Sequence, residues 1–156
     1  MKKHTYKLSL NWVGNLGSGT SDYRAYSRNH VIQAESKSEI LASSDPAFRG
    51  DSTRYNPEVL LLASLSSCHM LWFLHLCADS GVIVVQYFDN PEGIMLESEN
   101  GAGRFESVTL NPIVTVAESS MLDKLDPIHE KANSLCFIAN SVNFPVKHNP
   151  TCKVPN

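Results

Sequence analysis

Apolar residues fall at Tyr6, Leu8, Leu10 and Trp12, every second position, which predicts a first strand with one buried face. Gly14-Asn15-Leu16-Gly17-Ser18-Gly19 reads as a turn, and the segment from Tyr23 to Glu35 as a returning strand. The stretch from Ser36 to Arg54 is polar, holds Pro46 and Gly50, and leaves room for a short third strand before a loop carrying Arg49 and Arg54. The pattern then changes. Asn56-Pro57-Glu58 is a helix start: asparagine can cap, proline suits a first turn that does not need its N–H, and glutamate complements the positive helix end. From Val59 to Ala78 no residue is formally charged, and the helix is expected to close at Gly81. That run is about as long as a membrane span, but it includes Ser64, Ser66, Ser67, His69 and His75, all costly in lipid. A buried central helix is the expectation, and no membrane partner.

Further on, Val82 to Phe88 is a β-branched strand, Asp89 to Gly93 a turn, and Ile94 to Glu99 a partner strand. Another strand spans Arg104 to Ala117, with Pro112 marking an edge or a bulge. A last helix is expected from Asp126-Pro127 through Cys136 to about Val142, followed by a flexible tail that holds His148 and Cys152. Strands, helix, strands, helix in segregated runs predict an α+β fold: antiparallel sheets packed against a long central buried helix, one domain over residues 1–156.

The 156 residues carry a net charge of -3 with no long run of lysine and arginine, so the electrostatic footprint of a nucleic-acid binder is missing. The N-terminus alternates polar and apolar residues rather than presenting an apolar signal core, which predicts a cytoplasmic protein. In that reducing compartment Cys68, Cys77, Cys136 and Cys152 are expected to be free, metal-bound or redox-active rather than structural cross-links.

On a helix, Cys68 shares a stripe with Leu61, Leu65, Trp72 and His75, while Cys77, nine positions on, points the opposite way and reads as core. Ser66-Ser67-Cys68-His69 breaks the leucine run with small polar residues, as expected where a thiol must be reached and its thiolate stabilised. Cys136 is the best-placed partner for it by context, and Glu58, Arg49 and Arg54 are candidate charges for its surroundings. His4, His30 and His129 read as solvated, and Trp12 as strand core.

Phe48-Arg49-Gly50-Asp51 leading to Arg54-Tyr55-Asn56-Pro57-Glu58, Cys68-His69-Met70-Leu71-Trp72-Phe73-Leu74-His75, and Cys136-Phe137-Ile138-Ala139-Asn140-Ser141-Val142-Asn143-Phe144-Pro145-Val146 together resemble the OsmC/Ohr family of thiol-dependent peroxide reductases, over nearly the whole chain. The resemblance implies an intertwined homodimer with active sites at the subunit interface, an organic hydroperoxide substrate and an external dithiol reductant, with no cofactor. It also implies that Cys68 is the peroxidatic thiol, Cys136 the resolving one, and Glu58 the carboxylate that holds an arginine beside the thiolate. That arginine is Arg49, Arg54, Arg24 or Arg28, with Arg49 ranked first. Trp72, Phe73, Phe137 and Phe144 are the expected apolar neighbours of an organic substrate. His69 after Cys68, and Tyr55 where a small residue is common, depart from the family pattern. Glu58 and Cys68 lie ten positions apart, ~15 Å along a straight helix, so either the helix breaks or a second subunit supplies the glutamate.

Three other readings compete. A zinc site assembled from His69, His75, Cys77, His129, His148 and Cys152 lacks close-spaced ligand pairs. A non-catalytic small-molecule binder or redox sensor on the same fold would use the cysteines only as lining. A cysteine hydrolase lacks a histidine base within reach of Cys68 on a straight helix.

Overall fold

A computed structural model describes residues 1–155. The chain forms two compact units, Met1–Leu60 and Leu61–Asn156. The fold is α+β.

In the first unit β1 (Ser9–Trp12), β2 (His30–Gln33) and β3 (Ile40–Ala42) form an antiparallel sheet in that order. The alternation at the N-terminus does make a strand, shorter than its pattern, but the apolar face is not buried within the chain. Leu8, Leu10 and Trp12 are all exposed, and the Trp12 indole donates to the Ser27 carbonyl at 2.8 Å. Periodicity reports that a face is apolar, not what covers it. Of the expected second strand only His30–Gln33 forms; the chain before it is turn and irregular segment, held by Arg28, whose guanidinium donates to the Tyr23 and Tyr26 carbonyls and lies over both rings. Pro46–Phe48 is a single 3-10 turn capped by Asp45, and Arg49 leaves it in the left-handed region at φ 63°.

Helix α1 runs from Pro57 to Asp79, and its start behaves as read: the Asn56 side chain accepts the Val59 N–H at 2.8 Å. Gly81, at φ 68°, turns the chain away after the last turn. By length and composition α1 could cross a membrane. In the chain its buried residues are one stripe, Leu65, His69, Phe73 and Cys77, spaced by four.

The second unit holds two three-stranded sheets. β4 (Val84–Asp89), β7 (Pro112–Val116) and β9 (Thr151–Lys153) form one; β5 (Glu92–Glu97), β6 (Gly103–Leu110) and β8 (Val146–His148) form the other. The single strand expected over 104–117 is therefore two. The chain changes sheets at Asn111, whose N–H donates to Asp89 at 2.7 Å, and Pro112 opens β7 where no ladder donor is needed. Asp89 also accepts the Ser66 hydroxyl of α1, so one of the small polar residues that interrupt the leucine run anchors the helix to this switch. At Gly93 in β5 the helix packs closely on the sheet: a Cβ there would meet Leu62 at 2.6 Å and Phe105 at 2.8 Å.

The expected flexible tail is instead two strands that pair in parallel with β6 and β7, so the sheets are mixed. Three-residue strands carry too little periodicity to be read locally. The last helix also differs from its expected span: α2 is Leu125–Leu135, entered from a 3-10 segment at Ser119–Lys124, so Asp126 is inside the first turn and is not the cap. It ends before Cys136, which sits in extended backbone at the C-cap. The Asn140 N–H returns to the Cys136 carbonyl and a 3-10 turn follows at Ala139–Ser141.

The second unit has two cores. Phe73, Cys77, Val82, Val114, Val116, Leu125, Ile128 and Ala132 make one; Leu65, Val108 and Leu110 make the other, with Ile138, Phe144 and Val146 against it.

Candidate active site

Cys68 lies at the middle of α1, half-buried, and Cys136 at the end of α2 is 1% exposed. Although 68 positions separate them in sequence, their side chains interact. Burial, and then the hydrogen bond with Cys68, push the Cys136 thiol up to about 11, while the Ala139 N–H, which donates to Cys136 Sγ at 3.3 Å, works against that rise. An extended C-cap brings the sulfur to this position, because a continuing helix would have carried Phe137 to Val142 onward in place of the tight turn that supplies the Ala139 donor.

Cys68 opens onto a pocket of about 490 Å³ lined by Ser64, Ser67, Leu71, Trp72, His75, Phe137 and Ile138. Trp72 and Phe137 meet edge to face with centroids 5.8 Å apart. Ser64 and Ser67 turn their hydroxyls back to helix carbonyls, so the polar part of the lining is internally satisfied. What remains is an apolar recess with a thiol in its wall. Of the expected aromatic neighbours, Trp72 and Phe137 are there. Phe73 is elsewhere, in the core, and Phe144 packs on Phe105.

The expected charged residues belong to the first unit. Arg54 is half-buried, pairs with Asp51 at 3.4 Å, and has Nη1 buried without a hydrogen-bond partner among the described residues. Glu58 likewise has Oε2 buried and unpartnered. Arg49 and Arg24 are exposed, and Arg28 is committed to its own hairpin. Helix α1 is continuous from Pro57 to Asp79, so the break that would let Glu58 fold back toward Cys68 does not occur.

Sequence reasoning missed the histidines. His129, expected in solvent, is fully buried, as is His69. His69 Nε2 and His129 Nδ1 are 3.0 Å apart, and His148 lies beside them with centroids 5.5 and 6.0 Å from the other two rings. Burial first, then the neighbouring imidazoles, lower His69 to about 4 and His129 to about 3, with Asp89 opposing the shift at His69. Both rings are neutral near pH 7. A signal was available in part: His69 occupies the same stripe as Leu65 and Phe73. His30 is half-buried, with Nδ1 2.9 Å from the Arg28 carbonyl, and His4 is exposed.

The zinc set does not assemble: among the described residues no group of three or more His, Cys, Asp or Glu side chains is arranged to hold a metal ion. Burial first, then the neighbouring Cys152, raises the Cys77 thiol to about 11. His75 lines the pocket and pairs with Asp79 at 3.5 Å.

Comparison with known proteins bears on the fold and the family. A family profile described as OsmC-like protein matches residues 50–151. An OsmC-like protein of unknown function from Vibrio cholerae is 32% identical, with 96% of this chain and 100% of that one covered and a TM-score of 0.86. An organic hydroperoxide resistance protein from Elizabethkingia anophelis (17% identity, coverage 99% and 99%, TM-score 0.66) and one from Bacillus subtilis (14%, 95% and 98%, 0.64) share the fold. No curated protein matches. The profile match across the helix start and both cysteine segments, together with the Vibrio relative, establishes that this chain belongs to the OsmC-like protein family.

Proposed function

We propose that the protein is a thiol-dependent peroxidase that reduces organic hydroperoxides. The observation that carries this reading is the meeting of Cys68 with Cys136 at an apolar pocket, one sulfur partly open and the other buried behind it. The names of the Elizabethkingia and Bacillus structures favour the same substrate class.

The Cys68 thiolate attacks one peroxide oxygen; an S–O bond forms, the O–O bond breaks, and the departing alkoxide takes a proton to leave as alcohol. Sulfur loses two electrons and becomes a sulfenic acid. Cys136, held as a thiol until then by its high pKa, gives up its proton and attacks the sulfenic sulfur. The S–S bond forms and the hydroxyl leaves as water. An external dithiol reduces the disulfide by two exchange steps. The apolar lining around Trp72 and Leu71 favours a hydroperoxide with an organic tail over hydrogen peroxide.

The functional unit in this reading is a homodimer. The unbroken α1 keeps Glu58 of the same chain from Cys68, which leaves a second copy to bring its own glutamate and arginine. Arg54, with a buried and unpartnered guanidinium nitrogen, suits that role better than the exposed Arg49.

The test is a pair of variants. Cys68→Ser is expected to eliminate hydroperoxide consumption, and Cys136→Ser to consume one equivalent and then stall. Mass spectrometry after stoichiometric cumene hydroperoxide is expected to find the Cys68–Cys136 link. A Cys68→Ser protein that consumes hydroperoxide at the wild-type rate refutes the assignment.

A further inference from the structure

The two cysteine-bearing helices are joined by a feature the peroxidase chemistry does not use. The His69 and His129 ring planes differ by only 5° and their centroids are 5.3 Å apart, while Nε2 and Nδ1 are 3.0 Å apart. Two five-membered rings satisfy both distances only when they lie in one plane, end to end, so the contact is a linear N–H···N hydrogen bond and not a face-to-face stack. One ring donates and the other accepts, which requires the accepting ring to be neutral, and burial favours the neutral form of both. The far nitrogens, His69 Nδ1 and His129 Nε2, are buried without partners among the described residues. Leucine or phenylalanine would fill the same space without stranding polar atoms, so simple packing does not account for the pair.

Its placement gives it a role. His69 directly follows Cys68 on α1; His129 precedes Cys136 by seven residues, two turns of α2, on the same face. Phe73, one turn beyond His69, stacks on the other side of the contact, its ring 3.9 Å from that of His129 at 18°. Among the described residues, apart from the contact between Cys68 and Cys136 itself, no other side-chain hydrogen bond joins α1 to α2. The groups that face the pair from other elements are His148 on β8 and Asp89 on β4, and neither bonds to it.

We propose that the His69–His129 hydrogen bond is a positioning clamp that sets α2 against α1 so that Cys136 meets Cys68. The proposal rests on the reading of these two cysteines as a reacting pair, and the histidines touch neither substrate nor reacting sulfur.

The experiment measures disulfide formation without peroxide. The full-length protein is equilibrated in glutathione buffers, where protein dithiol and oxidised glutathione exchange to protein disulfide and two reduced glutathiones, and the Cys68–Cys136 link is quantified by mass spectrometry. The effective concentration of the pair in His129→Leu is expected to fall about tenfold or more, whereas His129→Asn, whose amide can accept the His69 N–H, stays within about threefold of wild type. Equal losses in His129→Asn and His129→Leu, or no loss in folded His129→Leu, overturn the clamp. Should His129→Leu not fold, nitrogen-15 NMR of the wild-type imidazoles decides: scalar coupling between His69 Nε2 and His129 Nδ1 across the shared proton supports the clamp, and its absence overturns it. A wild type that forms the disulfide in glutathione but ignores hydroperoxide leaves the clamp standing and sinks the peroxidase reading. Normal peroxide turnover with an unaffected His129→Leu does the reverse.

Discussion

Cys68 and Cys77 stand on one helix, nine residues and half a turn out of phase, and each has a second cysteine near it from elsewhere in the chain: Cys136 for the first, Cys152 for the second. Their surroundings differ. Cys77 is enclosed by Phe73, Val82 and Val114 and is pushed up to about 11 chiefly by burial, so near pH 7 it is an inert thiol. Cys68 lines an open apolar pocket, with its buried partner held behind it by a turn. Two thiols close together are not by themselves a site; a reactive cysteine is one that an oxidant can reach, and buried structural thiols are inert.

The sharpest break of this comparison is Cys68→Ser, expected to lower hydroperoxide turnover by about three orders of magnitude or more, in a coupled assay, because removing a nucleophile removes the step. A comparable loss from Cys77→Ala would erase the distinction between the two sites. Next in size is pH. Free histidine protonates near pH 6.5, while buried His69 and His129 resist to about 4 and about 3, so between those values the unfolded chain binds more protons and stability rises with pH. Urea unfolding is expected to show stability falling as pH drops from about 6.5 toward 4, by up to about 1.4 kcal/mol per pH unit for each histidine, and no such dependence above 6.5. A wild type as stable at pH ~4.5 as at pH ~7 is incompatible with a buried neutral pair.

Trp72→Ala tests what the pocket does for Cys68. It is expected to lower kcat/KM for cumene hydroperoxide about tenfold and that for hydrogen peroxide far less, since only the organic tail uses the lining. Equal losses for both would assign Trp72 to support of the helix. The smallest effect is expected from Cys77→Ala: about 1–2 kcal/mol of stability from a lost sulfur in a packed core, with turnover unchanged.

How much of this was legible depends on the range of the interaction concerned. The start of α1 was, because Asn56, Pro57 and Glu58 act within one turn of each other. The opposition of Cys68 and Cys77 followed from the helix repeat alone. The C-cap position of Cys136 did not, since Ser134 through Val142 contains neither proline nor glycine to announce the stop. The parallel strands at Val146–His148 and Thr151–Lys153 were hidden for another reason: their ladders are with β6 and β7, some 40 residues earlier, and three residues cannot display an alternation. His129 looked solvated because a histidine in a polar helix has no local signal of burial; its partners, His69 and Phe73, are about 60 residues away.

The sequence by itself determined the α+β class, the long helix with its cap and its two opposed cysteines, and the family. These rest on backbone preferences and side-chain periods that act over a few residues, or on motifs written contiguously. Only the tertiary structure decided that Cys136 ends its helix against Cys68, that two histidines share one proton between the helices, and that the tail closes both sheets. Each of those depends on groups that packing brings together from distant parts of the chain, where the free energy comes from exclusion of water and from matched geometry that no local pattern encodes.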